Sequence, residues 1–299
     1  MTMQPAIVEA HRLAIGYDSR VVVADIDVSI RGGQSLALVG VNGSGKSTLL
    51  KTLAGMLKPV SGDVTIFGHE PGRTPQRVAY LGQFHSIGGL LPLQVRDVVM
   101  MARYRRRGLL GRLTPADREA VARSIERLSI SDLATKPLRS LSGGQQQRVY
   151  LAHTLAREAD LIMLDEPTAG LDAGANERYA ELIAEELARG AAVITATHDV
   201  RDAARCTQVI LLAGRVVAAG SPTEVLSAER LLDAFGVALL AVPHQDHIDL
   251  VIPEDAHAHT DHNHRDRLHP RIDHAHAAHI PTRSSRCPAA RNPVPLIAR

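Results

Sequence analysis

The chain has no tryptophan, and only 3 phenylalanines and 5 tyrosines among 299 residues, so aliphatic side chains and alanine must fill its core. Its two cysteines, Cys206 and Cys287, lie far apart and form no CxxC pair. That argues against a disulfide scaffold or a rigid cysteine zinc frame and fits a reducing compartment. Charge of neither sign dominates: 34 Lys and Arg stand against 32 Asp and Glu. This balance speaks against wholesale nucleic-acid binding. No apolar run approaches the roughly 18 residues of a membrane span. The N-terminal MTMQPAIVEAHRL also lacks the basic-then-apolar layout of a signal peptide. The expectation is a chain that meets a membrane only through a partner. No internal repeat is visible, so there is one catalytic unit and not two.

Hydrophobic residues make up 45% of the chain, enough for a sizeable core. Apolar periodicity is nearly continuous up to about Pro243 and then gives way to His, Asp, Arg, Pro and Ala. Residues 1–236 read as one folded domain and 237–299 as a His-rich tail, disordered by composition. The folded part reads as α/β. Ile26, Val28 and Ile30 alternate with polar neighbours, as in a half-buried strand. Ser35–Val39 is a short buried strand, and Lys46–Leu57 is the helix after it, stopped by Pro59. Thr114-Pro115 signals a helix start, with Ala116, Ala120, Val121, Ile125 and Leu128 on its inner face. Leu161–Leu164 and Val193–Thr197 read as further buried strands, and Gly214-Arg215 as a hairpin turn.

Gly40-Val41-Asn42-Gly43-Ser44-Gly45-Lys46-Ser47 matches GxxxxGK[ST] in full, between an expected strand and an expected helix. Glycines let backbone N–H groups turn inward around phosphate oxygens, and the following helix presents its positive end to the same anion. Lys46 reaches toward β- and γ-phosphates, and Ser47, followed by Thr48, suits Mg²⁺ ligation. Leu161-Ile162-Met163-Leu164-Asp165-Glu166 then places two carboxylates at the end of a buried strand. Asp165 suits Mg²⁺, and Glu166 suits polarising an attacking water.

Leu141-Ser142-Gly143-Gly144-Gln145, followed by Gln146-Gln147-Arg148, resembles the signature motif of ABC transporter ATPases. The resemblance covers roughly residues 6–236. It implies a P-loop NTPase fold of the ABC nucleotide-binding type, with a RecA-like core, an antiparallel β subdomain and a helical signature subdomain. It also implies ATP and Mg²⁺ as ligands and a homodimer in which Ser142 and its neighbours act on the partner's nucleotide. Gln83 resembles the Q-loop glutamine that contacts Mg²⁺ and water. Asp172, in Ala169-Gly170-Leu171-Asp172, resembles the D-loop aspartate. His198 resembles the switch histidine, and Tyr17 the aromatic that stacks on adenine.

Pro92–Val99, Ala102-Arg103-Tyr104 and Arg105–Leu113 resemble the subfamily that serves zinc, manganese and iron importers. That implies a separate integral membrane permease, an extracytoplasmic metal-binding protein and a place on the cytoplasmic face of the cell membrane. An importer of haem or siderophore, or an ABC ATPase that energises no import, remains open. His153 departs from the Arg that many relatives carry in the signature helix. Ten of the 15 histidines lie from His244 onward. His257, His259, His262, His264, His274, His276 and His279, interleaved with aspartates, suit Zn²⁺ better than Mg²⁺. The tail is thus a candidate zinc buffer or sensor, or an inert solvated segment.

Overall fold

The computed structural model describes residues 5–83, 93–107, 112–235, 240–243 and 248–251. The chain opens with β1 (Val8–Tyr17) and β2 (Arg20–Ile30), an antiparallel pair that runs from Val8↔Ile30 to Tyr17↔Arg20 with register shifts between Ala10 and Gly16. Next come β3 (Ser35–Val39), the phosphate loop, α1 (Lys46–Leu53), β4 (Ser61–Ile66) and β5 (Val78–Leu81). β4 returns to pair with β1, closing a three-stranded antiparallel sheet of order β2-β1-β4.

The helical part follows. It comprises α2 (Val95–Arg107), α3 (Pro115–Arg127) and α4 (Gly143–Leu155). The chain then re-enters the main sheet through β6 (Leu161–Asp165), α5 (Ala173–Ala188), β7 (Ala192–Thr197), α6 (Val200–Ala204), β8 (Gln208–Leu212) and β9 (Val216–Gly220). Strand order in this sheet is β5-β6-β7-β3-β8-β9. All of its pairings are parallel except the β8–β9 hairpin. Two short helices, α7 (Pro222–Val225) and α8 (Ala228–Phe235), cover one end. A small antiparallel pair, β10 (Leu240–Pro243) and β11 (Ile248–Val251), lies within the stretch that composition reads as tail.

The central strands are buried on both faces, and alternation divides their side chains between separate clusters. Leu36 and Leu38 face α1 and the antiparallel sheet, whereas Ala37 and Val39 face α6, α7 and α8. On β6, Leu161 and Met163 join the first of these clusters, while Ile162 and Leu164 pack with α2, α3 and α4. The apolar run before Asp165 therefore serves as a wedge between two cores, which fixes where its terminal carboxylates emerge.

Two expectations are corrected. The first helix ends at Leu53, not Leu57. Gly55 takes a left-handed φ of 75°, and a side chain there would lie 2.5 Å from the Gly72 backbone nitrogen, so the glycine stops the helix ahead of Pro59. In α3, Thr114 caps the helix as expected, but Ala116 is exposed and Asp117 points inward in its place. Asp117 is drawn in by Arg103 of α2, whose Nε and Nη2 approach its Oδ1 at 3.0 and 2.9 Å. The same guanidinium donates to the Ala156 carbonyl beyond α4 and meets Glu158 at 2.9 Å. Arg103 thus ties the three signature-side helices together through buried, charge-assisted bonds.

Candidate nucleotide site

β3 runs straight into the phosphate loop, and the loop turns by way of glycines that a side chain would obstruct. A Cβ on Gly40 would sit 2.1 Å from the Leu212 carbonyl oxygen. Gly45, at φ 108°, places α1 under the loop with no side chain capping its first turn. The unpaired amides and positive end of α1 therefore open onto a cavity of about 480 Å³. Residues 42–48 form one wall of it. Tyr17, Val22, Gln83 and Glu166 complete the lining. Tyr17 is half-exposed at the edge, its ring available to an aromatic base, and Thr48 Oγ1 lies 3.5 Å from its hydroxyl.

Lys46 is buried, and its ammonium donates to the carbonyls of Gly40 at 2.7 Å and Val41 at 3.1 Å. Glu166 Oε1 stands 4.0 Å away. Burial holds the Lys46 pKa below the usual lysine range, and the charges of Glu166 and Asp165 oppose that shift. Burial likewise raises Asp165 above the ordinary carboxylate range, while the Ser47 hydroxyl and Lys46 pull it back. Asp165 Oδ1 is buried with no hydrogen-bond partner among the described residues. The Ser47 hydroxyl beside the Asp165 carboxylate is a donor set that fits Mg²⁺, which takes oxygen ligands and keeps several waters. Glu166 occupies a left-handed backbone conformation at φ 53°. Its amide donates to the Ala196 carbonyl, and Oε2 lies 2.7 Å from His198 Nδ1.

Most of the residues singled out from sequence thus converge: Tyr17, residues 42–48, Gln83, Asp165, Glu166 and His198. The signature residues do not line this cavity. Leu141 is buried; Ser142 caps α4 in a reciprocal box with Gln145, its backbone N–H donating to Gln145 Oε1 at 3.0 Å. Gly143 is open to solvent space on the side where a Cβ would project. A Cβ on Gly144 would meet the Gly170 carbonyl at 2.7 Å, so the signature turn abuts the loop leading to Asp172. Asp172 caps α5 by accepting from the Ala175 amide at 2.8 Å. The histidines proposed for the tail lie outside the described residues. Val22 was missed because nothing local in sequence shows that this end of β2 borders the phosphate loop.

The cavity, its helix terminus and the paired carboxylates define a P-loop ATPase site. Residues 23–169 match the ABC transporter family. The chain is 36% identical over 230 residues to the manganese transport system ATP-binding protein MntB of Bacillus subtilis, covering 77% of this chain and 92% of that protein. It is 35% identical over 230 residues to the zinc transport system ATP-binding protein TroB of Treponema pallidum, covering 77% and 86%. A solved ATP-binding subunit of an ABC transporter superposes with a TM-score of 0.65 at 26% identity, covering 78% of this chain and 95% of that one. The chain belongs to the ABC transporter family, carries its nucleotide-binding fold, and is an ATPase. Among the described residues no helix is long and apolar enough to cross a membrane.

Proposed function

We propose that this ATPase energises the import of a divalent metal ion, zinc first and manganese next, through a separate membrane permease. The observation that carries the catalytic reading is the convergence of Lys46, Ser47, Gln83 and Glu166 on one cavity at the end of α1. The cargo reading is supported by relatives named for manganese and zinc transport.

In this reading Tyr17 stacks on the adenine ring. The amides of residues 42–48 surround the phosphates, and Lys46 exchanges the Gly40 and Val41 carbonyls for β- and γ-phosphate oxygens. Ser47, Asp165 and Gln83 would hold Mg²⁺, which when bound would supply positive charge to neutralise the phosphates. Glu166 accepts a proton from the attacking water, the water oxygen bonds to the γ-phosphorus, and the bond to the ADP oxygen breaks to release phosphate. His198, hydrogen-bonded to Glu166, keeps that carboxylate aimed and contacts the γ-phosphate. Ser142 and Gly144 stand apart from this cavity, so they serve the nucleotide of a second copy, with Asp172 at the interface between copies. In the tail, His257 to His279 hold zinc loosely; the support there is composition alone.

A Glu166→Gln variant is expected to bind ATP, cease phosphate release and accumulate as an ATP-dependent dimer by light scattering. Steady turnover near the unmodified rate would refute the assignment. In cells carrying only this variant, uptake of radioactive zinc and manganese should both be compared with the unmodified chain. Undiminished uptake of both would overturn the cargo reading.

A further inference from the structure

Tyr80 lies in β5 just ahead of Gln83 and packs against the apolar cluster beneath the phosphate loop. Its hydroxyl is buried and has no hydrogen-bond partner among the described residues. Asp165 Oδ1, at the end of the adjacent strand, is in the same condition. β5 and β6 run parallel, pairing Tyr80 with Met163 and Leu81 with Leu164, so the two strands end side by side. Burial, then the charges of Asp165 and Tyr17, push the Tyr80 phenol up to about 12, which keeps its proton in place at physiological pH. The ring also lies against the Q-loop. A Cβ built on Gly82 would be 3.2 Å from Tyr80 Cε1 and 3.3 Å from its hydroxyl oxygen.

A buried phenol without a partner costs about 1–3 kcal/mol, a cost that phenylalanine of the same shape avoids. Here an unmatched donor and an unmatched acceptor stand on adjacent paired strands, close to Ser47 and Gln83 of the cavity lining. One water, which typically takes two to four polar partners, would satisfy both.

We propose that Tyr80 is a positioning residue for the metal carboxylate: its hydroxyl donates to a water shared with Asp165 Oδ1. The carboxylate is thereby held in the orientation that leaves its other side to the Ser47 hydroxyl. Because the same ring bears on Gly82, that orientation is tied to the backbone that presents Gln83. Tyr80 touches neither nucleotide nor reacting water; it acts through Asp165. The inference rests on the reading of Asp165 as the Mg²⁺ carboxylate.

Tyr80→Phe in the full chain tests it. Binding of a fluorescent ATP analogue is titrated in chelator and then against Mg²⁺. The expected result is unchanged affinity in chelator and a rise of about tenfold in the Mg²⁺ concentration for half-effect, the lower end of what removing a ligand's outer partner costs a metal site. An unchanged Mg²⁺ response, whatever happens to the melting temperature, overturns the proposal. Asp165→Asn serves as the reference. If it leaves the Mg²⁺ response unaltered, the reading of Asp165 fails and Tyr80 falls with it. If Asp165→Asn shifts the response and Tyr80→Phe does not, only the inference about Tyr80 fails. A second readout needs no affinity measurement. The chain has no tryptophan, so its tyrosine emission is directly visible. Mg²⁺–nucleotide should change that emission in the unmodified protein and change it less in Tyr80→Phe; equal changes in both overturn the proposal.

Discussion

Replacing Arg103 by methionine should be the most damaging single change outside the nucleotide cavity. The Arg103 side chain is 5% exposed and that of Asp117 is fully buried. Asp117 accepts from the Thr114 amide and hydroxyl at 2.9 and 2.8 Å, which cap α3, and pairs with the buried Arg103 guanidinium. Methionine fills much of the same volume and leaves a carboxylate buried without that partner. Breaking such a pair from one side costs about 3–5 kcal/mol. For a domain of this size each kcal/mol moves the melting temperature by about 2–4 °C, so the midpoint should fall by about 6–20 °C. The double variant Arg103→Met/Asp117→Leu removes both charges. It should recover much of the loss, because well-packed apolar replacements of a buried pair are often neutral or stabilising. A loss of about 1–3 kcal/mol should remain, since Asp117 also caps α3 and the buried Ala156 carbonyl loses its Arg103 donor in both variants. Urea unfolding of the three proteins measures this. A single variant within about 1 kcal/mol of the unmodified chain, or a double variant no better than the single, would show that the pair does not hold the helices as described.

Lys46→Met should weaken ATP binding by about ten- to a hundredfold, the loss expected when a charged hydrogen-bond donor is removed, as read by calorimetry. Burial raises Glu158, but the hydrogen bonds and charges of Arg103 and Arg123 overcome this and leave its pKa lowered. Its stabilising contribution should accordingly be present above the ordinary glutamate range and lost as pH falls through the folded value; Glu158→Gln should flatten the acid side of a melting-temperature profile. Deleting residues 244–299 should leave ATPase activity intact while removing zinc binding at neutral pH, and that binding should weaken below about pH 6.5, where free imidazole protonates.

The nucleotide site was legible because its chemistry is local. Glycine spacing, one lysine and an apolar run ending in Asp165-Glu166 each report a backbone shape within a few residues. Ser142 and Gln145 stand in a stretch that resembles the signature motif, and their capping box follows from the same local spacing. What escaped depends on partners distant in sequence. Asp117 belongs to the helix start after Thr114-Pro115, and nothing near it in sequence points to Arg103 on another helix. Nothing near Val22 or Tyr80 in sequence shows that β2 borders the phosphate loop or that β5 pairs with β6. The end of α1 was misread for another reason: Pro59 is the louder breaker, but the close approach of Gly55 to Gly72 is a tertiary fact.

Glu166 adopts a left-handed backbone conformation, which for a residue with a Cβ costs on the order of 1 kcal/mol or more and which glycine adopts freely. The position assigned to activating water is therefore held there against its own conformational preference. Glu166→Gln retains that strain, whereas Glu166→Gly relieves it. Laboratory evolution that rewards only survival of heat would drift toward glycine at this position and discard the proton acceptor. A stabilised form of this ATPase should be sought under a selection that also demands turnover, or with residue 166 held constant.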